Sequence, residues 1–240
     1  MTKRLAMWSG PRNISTAMMR SFENRPDCEV IDEPFYAFYL HQTRSPHPCF
    51  NEILAAQSSD FSTVANRLSQ QHVPSPLQYQ KHMTHHMLPE VDLQWCKGLL
   101  HCFLIREPAQ VVNSYTHSRG VCNADDIGII RQAELYREIT QITGQVIPVI
   151  DSNDVLKDPQ GQLKKLCKAL EIEYFPQMVE WPKGRRDSDG VWASHWYHSV
   201  EQSTGFSPYM DRQLSLSEAQ KKVVEDVSSS FDYLYQKRIQ

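Results

Sequence analysis

The chain has 240 residues, with 25 Lys plus Arg against 28 Asp plus Glu for a formal net charge of −3, and is 40% hydrophobic and 22% charged. Those proportions exclude a disordered, collagenous or coiled-coil chain and predict a single globular domain over 1–240. A slightly acidic total without a long basic run gives no reason to expect nucleic-acid binding, so any anion site must be local. Leu5 to Trp8 is a short apolar run stopped by Ser9, Gly10 and Pro11, and Ile14, Met18 and Phe22 then recur at helical spacing. That pattern predicts strand, tight loop and helix. Cys28 to Ile31 reads as a second strand, ended by Asp32, Glu33 and Pro34. Residues 41–80, rich in Pro, Ser, Gln and His around a helical segment from Ile53 to Leu68, read as a peripheral insertion expected to cover a site.

Leu99 to Ile105 is nearly continuously apolar, as a strand buried on both faces would be, and Glu107 and Pro108 open the helix that follows. One helical stripe runs through Ile127, Ile130, Leu135, Ile139 and Ile142, with Asp125 and Asp126 read as its N-cap. Val146 to Ile150 is the next predicted strand. Leu163, Leu166, Cys167 and Leu170 mark one more helix. A last one follows Gly205, with Ser215 and Glu218 spaced as a capping box. Alternating strands and helices predict a three-layer α/β/α fold with a mostly parallel central sheet, in which ligands bind beyond the carboxyl ends of the strands. The six cysteines form no CxxC pair and read as thiols of a reducing compartment. Nothing near the start resembles a secretory core, and no apolar run approaches the roughly 20 residues of a membrane span. The expected setting is cytoplasmic, with no membrane anchor. Oligomeric state is left open.

Where the first strand becomes a helix, Arg12, Asn13, Ile14, Ser15 and Thr16 put backbone N–H groups, two hydroxyls and a cation where an anion could sit. The nucleotide loop GxxxxGK[ST] is absent, which weighs against an ATPase. A second constellation, Arg106 at a strand end and Ser114 two turns into the next helix, supports an anion site. Together Pro11-Arg12-x-x-Ser15-Thr16 and Arg106-Glu107-Pro108-x-x-Val111-x-x-Ser114-Tyr115 resemble the two nucleotide motifs of sulfotransferases that use 3′-phosphoadenosine 5′-phosphosulfate (PAPS). Asp151 to Pro159 leading into Gln162 to Cys167, and Lys183-Gly184-Arg185-Arg186, are similar to later elements of that family.

The resemblance implies a P-loop NTPase-like sulfotransferase fold with PAPS as co-substrate, a small-molecule hydroxyl or amine as acceptor, and no metal. Arg12 to Thr16 would hold the 5′-phosphosulfate, Arg106 and Ser114 the 3′-phosphate, and Lys183, Gly184 and Arg185 would close the site. Arg12 and Lys81 would stabilise charge on the bridging oxygen. The acceptor needs a base, for which the candidates are Glu33, His82 and His85, with Glu33 first. His82, His85 and His86 also have a spacing open to zinc, but no further ligand is evident. Phe35, Tyr36, Phe38, Tyr39, Trp192, Trp196 and Tyr197 suggest an apolar or aromatic acceptor. The alternatives are a nucleotide-binding relative without catalysis and an ATP-dependent small-molecule kinase.

Overall fold

The computed structural model describes residues 2–211 and 213–240; Met1 and Arg212 of the expected domain lie outside the described residues. Five strands form a fully parallel sheet in the order β2-β3-β1-β4-β5: β1 (Lys3–Ser9), β2 (Cys28–Asp32), β3 (Leu77–Met83), β4 (Leu100–Ile105) and β5 (Val149–Asp151). The first half of the chain carries α1 (Ser15–Glu23), α2 (Tyr36–Thr43), α3 (Phe50–Ala56), α4 (Phe61–Gln70) and α5 (Pro108–Arg119). The second half carries α6 (Ala124–Ile127), α7 (Ile129–Thr143), α8 (Ser152–Lys157), α9 (Pro159–Ala169), α10 (Ala193–Trp196), α11 (His198–Glu201) and α12 (Glu218–Tyr235).

The core is split by the sheet. Leu5, Met7, Tyr79, Cys102 and Leu104 pack with α1 and α9 on one face, while Ala6, Trp8, Phe103 and Ile105 pack with α4 and α7 on the other. Each fully buried large apolar side chain contributes about 1.5–3 kcal/mol, which holds both layers without disulfides. The six cysteines are free thiols. No helix among the described residues is long and apolar enough to cross a membrane. Strand addition reverses beside β1, with β3 and β2 on one flank and β4 and β5 on the other. The loops after β1 and β4 therefore meet at a crevice where parallel sheets take ligands.

Several boundaries differ from the expectation. The last residues of the expected 41–80 insertion are not peripheral, because β3 begins at Leu77 and lies between β2 and β1 with all seven residues buried. Its polar sequence hides it. Gln80 is satisfied internally, donating to Leu68 O at 2.9 Å and to Gln78 Oε1 at 2.8 Å. Strand β5 starts at Val149 rather than Val146, whose side chain is exposed. Asn123, not Asp125 or Asp126, caps α6, and Asp126 closes the box from its third position. The last helix is boxed by Ser217 and Gln220 instead of Ser215 and Glu218.

The single stripe expected through Ile127 is two helices, broken at Gly128. This glycine has φ +63°, and a Cβ there would stand 2.9 Å from Thr84 Oγ1, whose hydroxyl donates to Gly128 O at 3.0 Å. Gly128→Ala should cost about 1–2 kcal/mol by urea denaturation from the left-handed backbone alone, and more if Thr84 cannot move. Gly98→Ala, with ordinary backbone and nothing nearby, should stay within about 0.5 kcal/mol.

Candidate functional site

A cavity of about 1000 Å³ opens at the crevice, walled by residues 11–17, by α5 and by the late segment from Trp196 onward. The chain turns out of β1 through Gly10, where a Cβ would lie 2.6 Å from Ile127 O, and through Arg12 at φ +56°. Asn13 ties this loop to the sheet, donating to Leu104 O at 3.0 Å and accepting from Ile14 N at 2.9 Å. Ile14 then begins α1 with no side-chain cap. The first-turn amides of Ser15, Thr16 and Ala17 have no partner within the helix, and these residues border the cavity at its positive end.

Arg12, Arg106 and Ser114 converge on this wall. Arg12 Nε donates to Ser114 Oγ at 3.0 Å, and Arg106 Nη1 donates to Arg12 O at 2.7 Å. Arg106 is oriented further by Gln110 Oε1 at 3.0 Å, and Glu107 caps α5 through the amides of Ala109 and Gln110. Burial, and then the charge of Arg119, lower the Arg12 pKa. Cations that press on one another in a half-buried cleft make a focused anion site in a protein of net negative charge.

Opposite stands a buried ionic cluster. Lys81 Nζ donates to Asp32 Oδ1 at 2.9 Å, Glu33 Oε1 at 2.7 Å and Tyr197 OH at 2.6 Å, using all three ammonium protons. Tyr197 OH donates to Asp32 Oδ2 at 2.6 Å, and Gly190 N reaches the same oxygen at 3.2 Å. Parallel register sets this up, since Asp32 and Lys81 are direct partners on β2 and β3. Glu33 follows at φ +40°, and both Glu33 and Lys81 border the cavity. Burial raises the Glu33 pKa to about 6; Lys81 pulls it down and Asp32 pushes it up.

His85 borders the cavity too, edge-on to Tyr39, with its pKa lowered to about 4 by burial and by nearby His47 and Arg119. His82 does not. Alternation along β3 sends it through the sheet, where it stacks on Trp8 at 4.4 Å and bonds Gln80 Oε1 at 3.1 Å. His82 therefore drops out as a base candidate, and the three histidines cannot share a metal. Among the described residues, no group of three His, Cys, Asp or Glu is arranged to hold one.

Lys183, Gly184 and Arg185 do not border the cavity. Gly184 N donates to Glu201 O at 2.8 Å. The neighbouring turn is pinned by Asp189, which accepts from Arg186 N at 2.8 Å and pairs with buried Arg20 at 2.6 Å. Of the seven aromatic side chains, Tyr36, Tyr39, Trp196 and Tyr197 border the cavity. Phe35 and Phe38 pack into the opposite core, and Trp192 is buried beside Tyr36 and Tyr197.

Residues 3–218 match the family described as the sulfotransferase domain. The chain belongs to that family. A sulfotransferase domain from the curacin biosynthetic pathway superposes with TM-score 0.56 at 15% identity, covering 95% of this chain and 98% of that one. A sulfotransferase from Alicyclobacillus acidocaldarius gives TM-score 0.57 at 10% identity, over 100% and 98%. At such identities the likeness shows a shared fold. Two curated Arabidopsis thaliana relatives, named branched-chain-amino-acid aminotransferase-like proteins 1 and 2, are 33% and 31% identical over 83% of this chain. The chain spans only 36% and 35% of their lengths.

In this sulfotransferase domain, sequence reasoning missed Asp32 and Tyr197 as partners of Lys81, and Arg119 in the cavity lining. Asp32 was legible as a carboxylate at a strand end. Tyr197 is brought in from 116 positions away and carried no local signal. Lys81→Met should cost about 3–5 kcal/mol by denaturation at pH 8, since two buried carboxylates lose their counter-charge. The Glu33 pKa, already raised to about 6, would rise further without Lys81, so the deficit should shrink as pH falls toward 5.

Proposed function

We propose that this domain transfers a sulfuryl group from PAPS to a hydroxyl, or an amine, of a small molecule. The observation that carries the reading is that the Arg12, Arg106 and Ser114 cluster and the buried Glu33 carboxylate border one cavity. The first-turn amides of α1, with Ser15, Thr16 and Arg12, would hold the 5′-phosphosulfate, and Arg106 with Ser114 the 3′-phosphate. Glu33 accepts the proton of the acceptor as the new S–O bond forms in line with the breaking one. The electron pair departs onto the bridging oxygen, where Arg12 and the helix amides stabilise it. Lys81 does not serve that oxygen, because its protons are committed. It holds Glu33 in place and ionised.

Magnitudes favour Glu33 over His85. A base with pKa about 6 is ionised at neutral pH and binds a proton roughly a hundredfold more tightly than one at about 4. The one lysine among the described residues bordering the cavity is Lys81, whose protons are committed to Asp32, Glu33 and Tyr197. A cytoplasmic setting accords with the free thiols.

The test is mass spectrometry of products after incubation with PAPS or ATP and candidate hydroxyl compounds, with and without chelator. Chelator-insensitive sulfation is expected. Chelator-sensitive transfer from ATP would identify a kinase, and nucleotide binding without any transfer would identify a non-catalytic relative. 3′,5′-Diphosphoadenosine at a hundred times its Kd should add about 2.7 kcal/mol of stability in thermal denaturation. Glu33→Gln should lower kcat by about a hundredfold or more while keeping diphosphoadenosine affinity, whereas Arg106→Ala should lose that affinity. Because Glu33 must be unprotonated, wild-type kcat should fall as pH drops through about 6; an acid limb near 4 would transfer the role to His85.

A further inference from the structure

Arg119, the last residue of α5, borders the cavity at the opposite end of that helix from Arg106, and its charge lowers the Arg12 pKa. Its guanidinium lies 4.4 Å over the Trp196 ring, and Nη2 donates to His47 Nε2 at 2.8 Å. The tautomer of His47 follows from its neighbours. Nδ1 is 2.7 Å from Pro48 O, which can only accept, so Nδ1 carries the proton and the single lone pair of Nε2 is shared between Arg119 and the Tyr36 hydroxyl. Accepting from Arg119 at Nε2 leaves the ring neutral, and burial, against the bond to Pro48 O, lowers its pKa. Both groups holding Arg119 are therefore uncharged, and among the described residues Arg119 makes no ion pair. Nearby Asp126 is committed elsewhere, accepting from Asn123 N at 2.9 Å in the cap of α6.

Tyr36 links this cation to the base: its hydroxyl bonds His47, its amide donates to Glu33 O at 3.1 Å, and both Tyr36 and Glu33 border the cavity. On the same wall His86, 2% exposed, is stacked on Tyr36 at 4.4 Å and Tyr39 at 4.9 Å with neither ring nitrogen partnered. An uncompensated guanidinium, an unpartnered imidazole and aromatic faces together describe a subsite for an anionic group on an apolar body. We propose, resting on the sulfotransferase reading, that the acceptor is a hydroxy acid: its hydroxyl meets Glu33, its carboxylate is taken by Arg119, and its body packs on Tyr36, Tyr39 and Trp196. This makes Arg119 a specificity-determining residue for the acceptor, held by His47 and Trp196 rather than by the donor cluster.

The test is calorimetric titration of the protein saturated with 3′,5′-diphosphoadenosine, using para-hydroxyphenylacetate, lactate and the methyl ester of each. In at least one pair the acid should bind about tenfold more tightly than its ester, as expected for a charge-assisted hydrogen-bond pair. Arg119→Gln should abolish that preference while diphosphoadenosine affinity changes by less than about twofold, and Arg119→Lys should keep part of it. Should the glutamine variant not fold, the lysine variant decides: an undiminished preference overturns the proposal. Equal binding of acid and ester in both pairs, or no binding of either acid, overturns it as well. A roughly tenfold loss of diphosphoadenosine affinity in the variants would assign Arg119 to the donor and also overturn it. Wild-type protein that binds no diphosphoadenosine would instead defeat the underlying sulfotransferase reading, and the inference with it.

Discussion

The ammonium of Lys81 is 1% exposed and sits among two carboxylates and a phenol, and the geometry of the site depends on it. A buried lysine is tolerated only where opposite charge offsets the loss of water. Here Asp32 and Glu33 more than offset burial, holding the Lys81 pKa well above its ordinary value. The same bonds fasten three distant pieces of chain. They join the end of β2, the end of β3 and the late segment from Gly190 to Tyr197, so the roof of the cavity is attached to its floor through Asp32. Glu33 is held at a positive φ immediately before Pro34, a conformation that a loop without these anchors would not keep.

The opposite wall uses backbone more than charge. A loop pulled close to Ile127 by Gly10 and tethered to β4 by Asn13 presents an uncapped helix start, and Arg106 braces that loop by bonding Arg12 O. One wall offers positive charge to a polyanion; the other offers an ionised base whose pKa burial has raised. A chain with formal charge −3 can carry both because the cations are concentrated in one cleft.

Much of this was legible in the sequence where local chemistry decides. The apolar runs of β1 and β4 and the proline-started α5 capped by Glu107 follow from residue type and spacing, and the paired Arg12 and Arg106 motifs from resemblance to the family. Strand β3 was not legible, because Gln78, Gln80 and His82 are polar residues buried through partners that only the fold supplies. The same limit hid the reason for His82 and Lys81 lying side by side: neighbours on a strand face opposite ways, so one joins the site and the other stacks on Trp8. The basic turn at Lys183 to Arg186 resembles a late element of the family that would close the site, but it is tied by a backbone bond to Glu201 and by the Arg20–Asp189 pair and does not border the cavity.

The claim underlying this account is that donor and base meet across a single cavity. Its most direct test is a crystal structure with 3′,5′-diphosphoadenosine bound. The account predicts the 5′-phosphate on the amides of Ser15 to Ala17, the 3′-phosphate against Arg106 and Ser114, and the Glu33 carboxylate facing the 5′-phosphate across open space. A nucleotide bound outside this cavity, or one lying with its two phosphates exchanged, would contradict it.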